Sequence, residues 1–218
     1  MSTFHLNPIR ALFGGADEDL MARVKADGDA RAFAVLVGRW QKPIHRLCAR
    51  MTGDTHRGED LKQETFARLF AKRDLYQPSG RFSTYLWRIA LNICHDELRR
   101  VKRRRELFGE ADSEEGADLI SEFPDADPTP DMRAAGSEEG QIVRRALLRL
   151  PEIYRSVLIL RHYEQLKLGE IAEALEIPLG TVNSRMAEAL ARLTRLLEPE
   201  FDQQHARAPG LHLESLVL

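Results

Sequence analysis

Cysteine is scarce, with Cys48 and Cys94 the two in 218 residues. Two cysteines build no disulfide framework, and neither stands in a CxxC-type spacing, so no zinc-site signature is present. His45 precedes Cys48 by three positions, but two ligands on one helix are too few for structural zinc. Both cysteines lie in apolar-periodic segments and read as core. No residue set suggests a bound metal or another cofactor. Long apolar runs are missing: none approaches the roughly 18 residues of a membrane span, and no signal-peptide pattern opens the chain. This predicts a soluble, cytoplasmic protein without membrane insertion. The alternation of a β-strand is missing as well, which leaves an all-α fold. Net charge is nearly missing, since 32 basic against 34 acidic residues leave −2. That average, taken alone, argues against a nucleic-acid partner.

The charge that is present is segregated. Between Gln41 and Arg105 stand sixteen basic and seven acidic residues, a net of +9, whereas Glu106 to Gly140 holds twelve acidic residues against Arg133, a net of −11. Binding responds to the local field rather than to the total. The basic part centres on Ser83 to Arg105. There Leu86, Ile89, Ala90, Ile93 and Leu98 form one apolar helical stripe, and Arg88, Asn92, His95, Asp96 and Arg99 share a neighbouring face. Phe82, Tyr85 and Trp87 crowd the start of this helix, and Arg99 to Arg105, Arg100 included, has six basic residues in seven. Basic groups neutralise phosphates, aromatic faces accept unstacked bases, and Asn or Arg reads base edges. A solvated charged face on an ordinary core helix explains the basic run alone equally well.

Residues 1–16 have no clear period and form an N-terminal arm. Asp17, Glu18 and Asp19 suit a first helical turn, where negative charge meets the positive end of the dipole. This helix stops near Asp27-Gly28-Asp29. A second helix carries Phe33, Leu36, Val37 and Trp40, and Pro43 is expected to kink or restart it before Ile44, Leu47 and Met51. The third spans about His56 to Lys72. Gln77-Pro78-Ser79-Gly80 breaks the chain, and Ser83 is the expected N-cap of the long helix. Residues 106–137 read as a flexible acidic linker, with five Gly or Pro before Asp131. Periodicity returns at Gln141, Pro151 opens a helix to about Tyr163, and the pairs Leu168–Leu175 and Thr181–Leu197 follow. The expected units are therefore helical domains at 17–105 and 138–198, with a tail at 199–218.

Leu168 to Leu197 has the pattern of a helix-turn-helix. Ile171, Ala172 and Leu175 face inward, Ile177 plugs the turn, and Val182, Met186 and Leu190 anchor the second helix. In such a unit the second helix enters the major groove with its N-terminal residues against base edges, here Thr181, Asn183, Ser184, Arg185, Ala187 and Glu188. An αα-hairpin that never touches DNA has the same helix pattern.

Together these stretches resemble the extracytoplasmic-function (ECF) class of bacterial sigma factors. GEDLKQETFARLF (58–70) looks like the helix with which the family docks on the clamp helices of the largest RNA polymerase subunit, with Asp60, Gln63 and Glu64 at the matching positions. FSTYLWRIALNICHDELRRVKRR is similar to the region 2 helix that melts and reads the −10 element. The resemblance implies −10 contacts for Arg88, Asn92, Asp96 and Arg99, unstacked bases near Tyr85 or Trp87, and a flipped base held by the loop from Tyr76 to Phe82. LPEIYRSVLILRHYEQLKLGEIAEALEIPLGTVNSRMAEALARL resembles the region 4 reader of the −35 element. The implied partners are core RNA polymerase (clamp helices and flap), promoter DNA and an anti-sigma factor. Charge and resemblance also suggest that the linker occupies a basic polymerase channel.

Three departures from the family pattern stand out. Lys167 and Gly169 replace a small capping residue and an acid, which predicts a weaker cap. Asn183 replaces a basic residue. Ala187-Glu188 replaces an aromatic or His followed by Arg, and because a carboxylate accepts from cytosine N4, an altered −35 preference follows. The competing functions are an autonomous repressor and a sigma-like decoy for an anti-sigma protein. An enzyme built on Cys94-His95-Asp96 is disfavoured and no catalytic residue is assigned, since consecutive helical positions diverge by about 100°.

Overall fold

The computed structural model describes residues 16–77, 81–107 and 138–207, and among them every regular element is helical. The N-terminal arm up to residue 15, residues 78–80 of the expected base-holding loop, the linker from residue 108 to 137 and the tail from residue 208 lie outside the described residues.

The first unit holds α1 (Asp17–Asp27), α2 (Ala30–Thr52), α3 (Thr55–Ala71), a 3₁₀ turn (Arg73–Leu75) and α4 (Phe82–Leu107). The acidic start of α1 does more than offset a dipole. Asp17 accepts from Arg39 Nη1 at 2.5 Å and from Trp40 Nε1 at 3.0 Å, which fixes α1 to α2. Glu18 accepts from the Phe82 backbone N–H at 3.0 Å and so caps α4 from 64 positions away. Ser83, the expected N-cap, lies one residue inside the helix.

Asp29 caps α2 by accepting from the N–H groups of Arg31 and Ala32, and Asp54 caps α3 by accepting from that of Arg57. Pro43 neither ends nor restarts α2, which is continuous through it. The lost backbone bond and ring clash cost roughly 3 kcal/mol. Burial of Trp40, Ile44, Leu47 and Met51 on both sides of the proline offsets that cost. Gly58 lets α3 cross α2 closely: a Cβ there would lie 2.8 Å from the Ala49 backbone nitrogen. Leu61, Phe66 and Leu69 of α3 then meet Leu47 and Met51 of α2 and Leu86, Ala90 and Ile93 of α4 in one core.

The second unit holds α5 (Glu138–Arg149), α6 (Glu152–Leu158) ending in a π-helical turn (Ile159–Tyr163), α7 (Leu168–Leu175) and α8 (Leu179–Arg207). Val157, Leu160, Ile171, Ala174 and Val182 are buried at its centre. Leu190 is 38% exposed rather than an anchor, and the fully buried Ala189 takes that place. The buried residues thus step from Val182 to Ala189 along 3.6-residue turns, one position off the expected row. Helix α8 continues past Leu197 and through Pro199 to Arg207. At the start of α7, Glu170 accepts from the Lys167 N–H at 2.8 Å. That is the half of a capping box that survives a lysine at the N-cap.

The two units touch. Arg155, itself buried, donates to the Met51 carbonyl at the end of α2 and to the Leu148 and Leu150 carbonyls at the end of α5. Leu148 packs on Gly53, whose positive φ of 79° ends α2. Arg50 faces Glu164 at 3.4 Å and stacks over the Tyr163 ring at 4.3 Å.

Candidate polymerase and nucleic-acid interface

Asp60, Gln63 and Glu64 are exposed on the outer face of α3, at helical spacing that brings them side by side. Each is held by a neighbour on the same helix: Arg57 donates to Asp60 at 3.1 Å, Gln63 to Glu59 at 3.3 Å and Arg68 to Glu64 at 2.5 Å. The surface is a row of ion pairs in which Asp60, Glu59 and Glu64 face Arg57, Lys62 and Arg68.

On α4 the same periodicity that buries Leu86, Ile89, Ala90 and Ile93 leaves Asn92, Asp96, Arg99 and Arg100 exposed. Arg88, one turn earlier, is half-buried and lies over the Tyr85 ring at 5.2 Å. Asp96 faces Arg99 at 3.6 Å and Arg68 at 3.9 Å, so its charge is partly balanced and the face stays cationic. Beneath it lies Glu97, a group that sequence periodicity does not single out. Glu97 is 9% exposed and accepts from Arg57 and Arg100, both at 2.8 Å. Burial pushes its carboxyl up, but the two arginines outweigh that and hold it below the ordinary range. Glu97 thereby ties α3 to the cationic helix α4. Its signal in the sequence, one acid in a basic run, is indistinguishable from a surface ion pair.

The aromatic expectation is corrected in part. Phe82 and Trp87 are 0% and 4% exposed and belong to a core cluster. Trp40 meets them at 6.1 and 5.6 Å, edge-on to both rings. Two aromatics whose faces are covered by protein accept no base. Tyr85 is the aromatic of the three that remains at the surface, with Tyr76 against its ring at 5.3 Å. Tyr76 is buried, and its hydroxyl is pushed up to about 12, by burial first and then by Glu18 and Asp17.

The triplet Cys94-His95-Asp96 does not converge. Cys94 is buried against Cys48, and the hydrogen bond between them and burial push its thiol well up. Asp96 points to solvent. His95 is held below its ordinary value by burial, partly opposed by Glu152. His45 Nε2 donates to the Thr55 carbonyl, 3.2 Å away.

On α8, Asn183, Ser184 and Ala187 are exposed, and Thr181, Arg185 and Glu188 are half-buried. Ser184 Oγ donates to the Thr181 carbonyl at 3.0 Å. Glu188 accepts from Arg192 Nε at 2.6 Å, and Arg192 lies over the Tyr154 ring at 4.8 Å. The carboxylate that would repel phosphate is therefore already paired. No helix among the described residues is long and apolar enough to cross a membrane.

A helical bundle that presents a cationic face on α4, in the same chain as a helix-turn-helix, defines a two-part protein of the DNA-associated class. Residues 36–105 match the family model for Sigma-70 region 2, and residues 140–193 match the model for Sigma-70 region 4. The chain is 35% identical over 170 residues to the ECF RNA polymerase sigma factor SigW of Bacillus subtilis, covering 78% of this chain and 91% of that one. It is 31% identical over 187 residues to the RNA polymerase sigma-H factor of Pseudomonas aeruginosa, covering 84% and 94%. Its fold is similar to that of the sigma factor RpoE solved with the anti-sigma factor NepR from Bartonella quintana. There the TM-score is 0.59 at 21% identity, over 78% of this chain and 98% of that one. The chain belongs to the ECF family of RNA polymerase sigma factors.

Proposed function

We propose that this sigma factor is a dissociable, non-enzymatic initiation subunit that works in the bacterial cytoplasm. Its α3 face docks on the clamp helices of core RNA polymerase, α4 holds opened −10 DNA, and α8 grips the −35 duplex while its domain meets the flap. The observation that carries this is the pair of solvent-facing reading surfaces on two helical units of one chain. Asn92 and Arg99 stand on the first, and Asn183 and Ser184 on the second. Residues 17–105 and 138–198 are the two working domains, joined through the acidic segment at 106–137. Fully extended, residues 108–137 reach up to about 100 Å. That length spans elements roughly 25 base pairs apart, about 85 Å of duplex at 3.4 Å per pair. An anti-sigma factor is the expected negative partner.

Opening DNA costs a few kcal/mol for each unstacked step, and one aromatic stack returns about 1–3 kcal/mol. Tyr85 alone therefore offsets about one step. The remainder falls to polar contacts from Arg88, Asn92 and Arg99 and to polymerase itself. Such dependence favours a protein that melts DNA only when assembled.

The test is a titration into core polymerase with wild type and with the double charge reversal Asp60→Lys, Glu64→Lys. Wild type should bind core and, with it, select duplexes carrying two separated sequence blocks from a random library. The reversal should weaken core binding at least tenfold without lowering the melting temperature. Equal core binding by both forms refutes the docking assignment, and tight selective binding to duplex by the free chain would support an autonomous repressor instead.

A further inference from the structure

We infer that Glu188 makes the −35 grip selective for a cytosine, with Arg192 as the residue that positions its carboxylate. The reading end of α8, Leu179 to Leu190, carries one cation, Arg185, and one anion, Glu188. A stretch with no net charge gains little from phosphates, so what it selects depends on side chains at base edges. Glu188 is fixed from its own helix and from a neighbouring one. Arg192, one turn on, donates Nε to Glu188 Oε1 at 2.6 Å, and its guanidinium lies over the Tyr154 ring of α6 at 4.8 Å. An acid four residues before a base is the favourable order on a helix. Tyr154 in turn packs on the buried core, so a chain of contacts runs from the core to the carboxylate. The Glu188 side chain is still 39% exposed. Its second oxygen, Oε2, takes no partner among the described residues.

The donors and acceptors of the major groove name the base. Guanine presents N7 and O6 there and thymine presents O4, all acceptors that repel a carboxylate. Two amino donors remain. Adenine N6 stands between two acceptors, its own N7 and thymine O4, whereas cytosine N4 has guanine O6 on one side alone. A single open carboxylate oxygen accepts one hydrogen bond, and cytosine N4 is the donor it meets with least repulsion. Glutamine at the same place would grip adenine through N6 and N7, and arginine would grip guanine through O6 and N7. Substitution therefore switches the base and does not merely weaken the contact. Arg192 has a second effect: by balancing the carboxylate it lessens repulsion from the flanking phosphates. Asn183 is exposed five residues earlier on α8, about 7.5 Å along the axis. At 3.4 Å per base pair that is about two pairs away, so the cytosine is not the base under Asn183.

This inference rests on the assignment of α8 as the −35 reader, and the test separates the two. Core polymerase assembled with the full chain selects promoters from a library randomised in both blocks, and the retained pool is sequenced. Wild type should enrich one C·G pair in the upstream block. The other pairs at that position should be bound roughly five- to hundredfold less well. Glu188→Gln should move the preference there to adenine, and Glu188→Arg to guanine. Arg192→Ala should blunt discrimination at that position and leave the rest of the upstream block as it is. Blunting of all upstream positions together would show that Arg192 only supports the fold. Asn183→Ala should relax a different position. The downstream block, read by α4, reports in every variant that the assembled protein is intact. An upstream block without an enriched cytosine overturns the inference and leaves α8 as the reader. So does a block that is the same in wild type, Glu188→Gln and Glu188→Arg. A wild type that selects a downstream block and no upstream one refutes α8 as the reader, and the cytosine assignment with it.

Discussion

Glu164 and the aromatic residues show how much depends on where single side chains end up. Glu164 ends the π-helical turn and is buried to the point that its carboxyl is pushed up to about 6 from an ordinary 4.5, with Arg50 and Arg46 opposing the rise. A group whose pKa is raised by folding stabilises the fold fully below its unfolded value and loses that contribution as pH rises through the folded value. The window here runs from 4.5 to about 6. Above it the charged carboxylate costs about 2 kcal/mol, since each tenfold change in proton affinity is worth about 1.4 kcal/mol. Glu164→Gln is therefore expected to raise the melting temperature at pH 8 and leave it unchanged at pH 4, as read by calorimetry. The front of α4 gives a second contrast. Phe82→Ala removes a fully buried ring and should cost roughly 3–5 kcal/mol in urea unfolding. Tyr85→Ala should cost much less stability and instead reduce promoter opening by polymerase. If Phe82→Ala is mild and Tyr85→Ala leaves opening intact, the two aromatic roles are misassigned.

The crossing of α2 and α3 sets the angle at which the proposed docking face is presented, and Gly58 is the residue that permits it. Alanine at 58 gains about 1 kcal/mol of helix propensity but places a methyl 2.8–2.9 Å from Ala49 backbone and side-chain atoms. Backbone does not yield as a side-chain tip does, and overpacking costs roughly 1–3 kcal/mol. Overpacking wins, so Gly58→Ala should lower the melting temperature and weaken core binding in parallel. A more stable variant would show that the crossing is looser than this.

Helices as such were legible, because 3.6-residue periodicity reports which side of each is buried. The exposed rows Asp60–Gln63–Glu64 and Asn92–Asp96–Arg99 follow from it directly. What periodicity does not encode is the outcome of long-range competition. Pro43 stays helical because burial on both flanks outweighs a local penalty. Ser83 loses the cap to Glu18, which is remote in sequence. Phe82 and Trp87 read as an exposed aromatic patch until the Trp40 ring, on another helix, covers them. At the start of α4 the deciding partners, Glu18 and Trp40, stand on other helices, where no local pattern points to them.

At the scale of the whole molecule, two helical bodies, each bearing one of the proposed reading surfaces, rest against each other through Arg155, Arg50 and the ion pairs Arg81–Glu170 and Arg88–Glu176. A chain of this kind should be inert on duplex DNA alone and active in opening only with core polymerase. Permanganate reactivity of thymines across the −10 region of a selected promoter measures this directly. Strong reactivity is expected with core plus wild type. Background reactivity is expected with core alone, with the chain alone, and with core plus Asn92→Ala, Arg99→Ala. Opening that persists in the double variant, or that never exceeds core alone, would contradict the assignment of α4 as the surface that holds melted DNA.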